Sequence, residues 1–360
     1  DPRISNDGQL VSFVINDSVY LAPTDGSAAA QLIVAGDEEM VSWGSAEFVA
    51  AEEMRRNRGH WWDSTGMKLA VTRVDVSNVT TWHISAPNEP ATIPKEIKYP
   101  AAGSPNADVQ LHVIDTDDYS RTEVMWNRST HPYLVDVSWE ANQPLTLVVQ
   151  TRDQQSLQVL EADEGTGRTE KAIEINDPYW VEIIPGTPQR WRDGWLTIQE
   201  HEQNRSLLFN GRPLSPPDQW VRSVIAADET RILYTASVDP TVVDLWSHNG
   251  ESTKCLTNAN GVTQVQSSSS VTVLEQSSIE RPAEATVSKG QTVSTVKDFS
   301  ATPLVTPQVR FHLTGNLDAH SAVLFPTTAT EEPLPIVLDP YGGPHAQRVM
   351  KSRNAFLASQ

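Results

Sequence analysis

Within the segment "AEFVAAEEMRRNRGHWW", residues 46–62, two adjacent carboxylates, Glu52 and Glu53, precede three arginines, Arg55, Arg56 and Arg58. Two carboxylates converging on one ammonium would make a strong, charge-assisted anchor. Adjacent helix positions lie about 100° apart, so both groups reach one cation only at the rim of a cavity. Arginines alongside, Arg55 and Arg56 first, would hold them ionised and oriented. The same residues carry a plainer reading. Ser45 can cap a helix over 46–58 that Gly59 ends in the left-handed conformation. Glu52 then faces Arg55 and Arg56, and Glu53 faces Arg56, in pairs contributing about 0.2–0.5 kcal/mol each. Local physics alone favours the salt-bridged helix and leaves the ligand site open.

Other chemistry is sparse. The histidines, from His60 to His345, nowhere form H-E-x-x-H or a comparable ligand set, and Cys255 is the single cysteine. No metal or cofactor is therefore expected. His345 is read as structural. The nucleophile elbow G-x-S-x-G is absent, because the lone Gly-x-Ser at 250–252 runs into Thr253 and Lys254. Asn78 and Asn204 begin sequences of the glycosylation type.

The formal charge is −19, from 46 acidic against 27 basic residues. That disfavours nucleic acid, which calls for a basic surface, and favours cationic ligands such as peptides with a free amino terminus. No apolar run is long enough to span a membrane. The chain opens "DPRISNDGQL", without Met or a signal-peptide pattern, and closes on "RNAFLASQ" in mid-pattern. Both ends are expected to be cut from something longer, and the compartment stays open between cytoplasmic and extracytoplasmic.

The elements that must position the glutamates are mostly strands. Apolar runs alternate with Gly, Asn, Asp and Pro clusters up to about residue 300. "VSFVINDSVYLAPTDGSAAAQLIV", "LTLVVQTRDQQSLQVLEADEGTGRTEKAI" and "RILYTASVDPTVVDLWSHNGESTKCLT" each read strand, turn, strand, turn, strand. Trp-Val recurs at Trp180 and Trp220, 40 residues apart, and repeats of about 40–45 residues with four short strands mark propeller blades. Some six such units are expected, in preference to a long β-sandwich. Trp61, Trp62, Trp139, Trp180, Trp220 and Trp246 are read as blade-core fillers. "QVQSSSSVTVLEQSS" is read as an edge strand, and the helix around Glu52 as an insertion projecting from a blade. Beyond about residue 305, "VRFHLTGN" and "SAVLFP" read as paired strands. In "EEPLPIVLDPYGGPHAQRV", residues 336–338 are expected as a buried strand leading to a Gly-Gly-Pro loop and a helix, as at the strand ends of α/β sheets. The domain boundary is placed near 300.

"AEFVAAEEMRRNRGHWW" followed by "DSTGMKLAVTRVD" resembles the glutamate-pair segment of dipeptidyl peptidase IV-type serine exopeptidases, of the prolyl oligopeptidase family. "LPIVLDPYGGPHAQ" resembles the first conserved strand and loop of their α/β-hydrolase domain. The two motifs stand in the right order, so the resemblance spans nearly the whole chain. It implies an all-β, β-propeller fold, eight-bladed in the family and incomplete here, over residues 1–300. The start of the hydrolase domain would occupy 301–360. It implies release of X-Pro or X-Ala dipeptides from peptide amino termini, with Glu52 and Glu53 binding the free α-ammonium and Tyr341 donating to the oxyanion hole. A donor there is worth about 3–4 kcal/mol in the transition state. The catalytic Ser, Asp and His are expected beyond Gln360, earlier blades before residue 1, and the family's substrate-binding arginine matches nothing here. The chain alone is therefore expected to be inactive. A non-catalytic propeller that binds partners, or an acylaminoacyl- or oligopeptidase relative, are the alternatives. The resemblance also suggests homodimers of the full-length protein.

Overall fold

A computed structural model of the chain describes all residues except 202–203, 259, 269, 302, 328–332, 344–345 and 360. It separates into two compact units, Asp1–Val181 and Glu182–Gln360.

The first unit holds three small antiparallel sheets. β1 (Arg3–Ile4), β2 (Leu10–Ile15), β3 (Ser18–Pro23) and β4 (Gln31–Val34) pair in chain order. Asn16 and Asp17 turn β2 into β3 with φ of 47° and 62°, the left-handed geometry that Asn and Asp tolerate in two-residue hairpins. The second sheet runs β11 (Arg121–Val124), β10 (Asp108–Asp115), β7 (Lys68–Asp75), β5 (Val41–Trp43), with β6 (His60–Trp62) also on β7. β12 (Tyr133–Ser138), β13 (Leu145–Gln150), β14 (Ser156–Ala162) and β15 (Thr169–Asn176) form the third. Alternate residues of neighbouring sheets interlock. Val19, Leu21 and Ile33 pack with Trp43, Leu69 and Val71 between sheets one and two. Trp61, Ala70 and Leu111 pack with Leu134, Leu145 and Leu147 between two and three. β8 (Thr81–Ile84) and β9 (Lys95–Lys98) make a separate hairpin between β7 and β10.

In the second unit, β16 (Gln189–Trp191), β17 (Gly194–His201), β18 (Asn204–Phe209) and β19 (Arg212–Pro213) form one group. β20 (Trp220–Ala227), β21 (Ile232–Ser237), β22 (Asp244–His248) and β23 (Thr253–Cys255) form the next. Only the parallel pair Arg205 and Trp220 joins their ladders, so these are two blade-like sheets in contact. β24 (Val262–Ser268), β25 (Val271–Ser277), β26 (Glu284–Lys289) and β27 (Thr292–Thr295) make a further sheet, and β28 (Gln308–Thr314) pairs with β29 (Ala319–Phe325). Six blade-like sheets thus stand among the described residues, the number expected, and each of the three quoted repeats supplies three successive strands of one sheet.

Some expectations are corrected. Within "QVQSSSSVTVLEQSS", β24 lies at an edge but β25 is interior, paired on both sides. Residues 336–338 form no strand: Ile336, Val337 and Leu338 are each more than 80% exposed, since no neighbouring strand among the described residues accepts their ladder. The helix expected after the Gly-Gly-Pro loop is a single 3₁₀ turn, Arg353–Ala355. Trp61 and Trp62 fill the core as expected, but Trp180 and Trp220 are exposed; Arg205 lies 4.7 Å above the Trp220 ring. The Trp-Val echo is not structural either, because Trp220 opens a strand while Trp180 lies in a loop.

Candidate functional site

The glutamate segment interrupts an edge strand. Trp43 pairs with Arg73 and His60 with Val71, so β5 and β6 line the same edge of β7 and only Thr72 lies between them. Thr72 receives the two stems of the insertion. Its carbonyl accepts from Gly44 N–H at 2.9 Å, and its N–H donates to Gly59 O at 2.8 Å. Its hydroxyl reaches Ser45 O at 2.9 Å and Gly59 O at 3.1 Å. The stems touch so closely that a Cβ on Gly59 would overlap Gly44 C and Ser45 N. Gly59 is needed for this close approach and not, as expected, for a left-handed helix end.

The inserted α1 is shorter than expected, Phe48–Glu53, six residues. Ala50 and Met54, one turn apart, are its buried contacts, and it packs against β12. Six residues cannot sustain a helix alone, so tertiary ties decide its existence. Ser45 is not the cap: Glu47 occupies that position, without a side-chain cap bond. The chain is turned by Arg55, at φ 58°, which lets Met54 N–H and Arg56 N–H both reach Ala50 O, at 3.1 and 3.0 Å.

The three arginines have different surroundings. Arg55 is exposed, and Glu52 makes no ion pair among the described residues. Arg56 is buried and holds the Glu47 carboxylate at 2.8 Å, with side chains only 2% and 5% exposed. Its Nε donates to Leu134 O on β12 at 3.1 Å and its Nη1 to Arg58 O at 2.9 Å. Arg58 donates through Nε and Nη2 to His60 O, at 3.2 and 3.0 Å. The guanidinium carbons of Arg56 and Arg58 lie 6.0 and 5.1 Å from the Trp61 ring centre, within cation–π range. Burial, then the Arg3 charge, brings the Arg58 guanidinium down to about 10, with Asp136 acting in opposition.

Two ionisable neighbours complete the surroundings. Asp136, on β12, is accessible to water, yet the protein crowded around it raises its carboxyl; the Val137 N–H and the charges of Arg56 and Arg58 oppose that shift. Water that reaches the carboxylate screens these charges. His60 is fully buried, with Nδ1 3.0 Å from Gly44 O. Its Nε2 has no partner among the described residues. Burial brings its imidazole down to about 4, against the Gly44 hydrogen bond and aided by Arg58 and Arg3. With Nδ1 donating to Gly44, His60 is the neutral tautomer.

Glu52 and Glu53 are thus brought together on the last turn of α1, both facing solvent. Tyr341 lies in the second unit, half exposed, in a stretch without regular structure. The chain after it is tied down: Gln347 accepts from Arg222 at 2.9 Å and donates to Pro240 O at 2.7 Å. Lys351 pairs with Asp239 at 2.7 Å. His345 lies outside the described residues. Among the described residues no three His, Cys, Asp or Glu side chains converge as metal ligands, and no helix is long and apolar enough to cross a membrane. Glu47, Asp136 and His60 escaped the sequence reading. Glu47 stands nine residues before Arg56, a spacing without meaning until the insertion folds back.

Successive antiparallel sheets of about four strands, packed face to face and interrupted by a helical insertion bearing two carboxylates, define a β-propeller-type protein. The chain belongs to the dipeptidyl peptidase IV family, since residues 1–282 match the model of the dipeptidyl peptidase IV (DPP IV) N-terminal region. It is 27% identical over 229 residues to "Probable dipeptidyl-aminopeptidase B" of Pyrenophora tritici-repentis, covering 55% of this chain and 26% of that protein. It is 26% identical over 249 residues to "Inactive dipeptidyl peptidase 10" of Rattus norvegicus, covering 62% of this chain and 31% of that one. The crystal structure of Porphyromonas gingivalis dipeptidyl peptidase 4 superposes on 98% of this chain and 54% of its own, with TM-score 0.79 and 16% identity. At that identity the likeness concerns the fold. The chain therefore spans about a quarter to a third of these curated relatives and about half of the solved structure.

Proposed function

We propose that this chain is the amino-terminus-recognising part of a serine aminodipeptidase that releases X-Pro or X-Ala dipeptides. Residues 1–300 supply the propeller and 301–360 the start of the hydrolase domain. Glu52 and Glu53 bind the substrate's free ammonium, which sets the distance of two residues to the scissile bond. Tyr341 donates to the oxyanion, and the nucleophile comes from outside these residues. The full-length protein would act as a homodimer. The observation that carries this reading is the pair of adjacent, solvent-facing carboxylates on a tied-down insertion, in the segment that resembles the family's glutamate-pair motif.

In the full-length protein, Glu52→Ala and Glu53→Ala should each lower kcat/KM on an Ala-Pro chromogenic substrate by about a hundredfold, the usual scale for losing one partner of a close charge pair. Unchanged kcat/KM in both variants would refute the ammonium anchor. An acylaminoacyl- or oligopeptidase relative would instead accept amino-blocked substrates equally well. A second reading, a non-catalytic propeller that binds peptide termini, is favoured by the likeness to a relative named inactive. The residue at the nucleophile position of the full-length protein separates the two.

A further inference from the structure

The insertion's geometry poses a problem. Glu52 and Glu53 occupy the last turn of α1, which carries no basic residue. Carboxylates at the carbonyl end of a helix are placed unfavourably by the helix dipole. The helix is six residues long, has no side-chain cap and ends through a left-handed arginine. Each feature works against holding the two carboxylates still.

One side chain, Arg56, ties the insertion together at three points. Glu47 precedes the helix and Arg56 follows it, so their 2.8 Å ion pair ties the entry of the insertion to its exit. Arg56 also donates to Leu134 O at 3.1 Å, fixing the exit to β12 of the next sheet, and to Arg58 O at 2.9 Å, fixing it to the stem that returns to β6. All three guanidinium nitrogens are thereby engaged, and planar donors in a fixed fork give direction that an ammonium cannot.

We propose that the Glu47–Arg56 pair is a clasp that positions Glu52 and Glu53, and that Arg56 is a positioning residue for recognition of the peptide ammonium. The inference rests on the ammonium-anchor reading above. The clasp holds two carboxylates at the unfavourable end of a helix, and an arriving ammonium offsets that placement. The protein is prepared for the cation before it arrives, which spares the ordering that binding would otherwise require. The ion pair itself never touches the ligand.

The test uses the full-length protein and two probes, Ala-Pro-amide and its N-acetyl form, with affinity read by calorimetry, so it works whether or not the protein is an active peptidase. The native protein should prefer the free amine by at least about tenfold. Arg56→Lys keeps the charge but not the fork, and Glu47→Gln keeps the shape but not the charge. Both should lose most of that preference. Hydrogen exchange is the second readout. Glu47→Gln should speed exchange across Phe48–Met54 by about tenfold, an opening limited to one foldon, while β13 and β14 stay protected as in the native protein.

Folded variants that keep the native preference would overturn the clasp. So would exchange that rises equally through the whole third sheet, since the pair would then merely hold that sheet together. Should Arg56→Lys fail to fold, the isosteric Glu47→Gln decides through the same two readouts. A native protein that does not distinguish the probes would sink the ammonium anchor instead, leaving the clasp to be judged by exchange alone. Glu52→Ala and Glu53→Ala that lose the preference beside clasp variants that keep it would leave the anchor standing and remove the clasp.

Discussion

His60 sits directly behind the insertion, fully buried between Gly44 and the arginine stem, and holds its imidazole at about 4. The unfolded chain takes up a proton near the ordinary value of 6.5. Between these values the unfolded state binds more protons, so stability falls as pH drops from about 6.5 to about 4 and is fully present above that window. Over the window the loss approaches about 3 kcal/mol. His60→Asn can keep a donor to Gly44 O but cannot be protonated, so its melting temperature should vary less with pH across this range than that of the native protein. Equal pH dependence in the two proteins would show that His60 is not the group responsible. Arg56 teaches a related lesson. Its type and place invited pairing with the glutamates one turn back, but the carboxylate it holds is Glu47's, because the chain reverses and brings position 47 alongside position 56.

The insertion is made possible by how its stems meet. β5 and β6 would read as one strand if residues 44–59 were removed, since both continue along β7 on either side of Thr72. The stems close on one threonine and one glycine. Gly59→Ala would force the added Cβ against the backbone of Gly44 and Ser45, where nothing flexible can yield. It should destabilise the protein by about 1–3 kcal/mol and, by parting the stems, weaken free-amine binding as well. Thermal melting and the free against acetylated probe measure the two effects. A Gly59→Ala protein indistinguishable from native in both would show that the stems have slack. At this scale the strand repeats were readable, because alternation and turn residues are local signals. The helix is six residues long although propensity over 46–58 favours a longer one, because Arg56 and Arg58 are drawn to β12 and β6.

At the scale of the molecule, residues 1–282 are of the dipeptidyl peptidase IV N-terminal kind, and a G-x-S-x-G elbow is absent from the 360 residues. The chain on its own should therefore leave Gly-Pro and Ala-Pro chromogenic substrates uncleaved. Turnover by the pure chain, above a buffer control and sensitive to a serine-directed inhibitor, would contradict this. The net charge of −19 adds a long-range attraction for cationic peptide termini, and on the proposed reading the insertion would select which cation is held. Tyr341 marks the limit of what the described residues position: its loop is anchored downstream through Gln347 and Lys351, while residues 336–338 find no sheet to join.

Sequence alone determined the three strand-turn-strand repeats, the six or so blade-like units and the presence of two adjacent carboxylates. These depend on alternation, turn chemistry and composition, which act over a few residues. Only the tertiary structure decided that the carboxylates ride on a six-residue helix interrupting one strand, that Glu47 holds Arg56, and that Gly59 is required for contact and not for φ. Those facts depend on residues distant in sequence meeting in space, at Thr72 and at Leu134, and no local pattern carries that information.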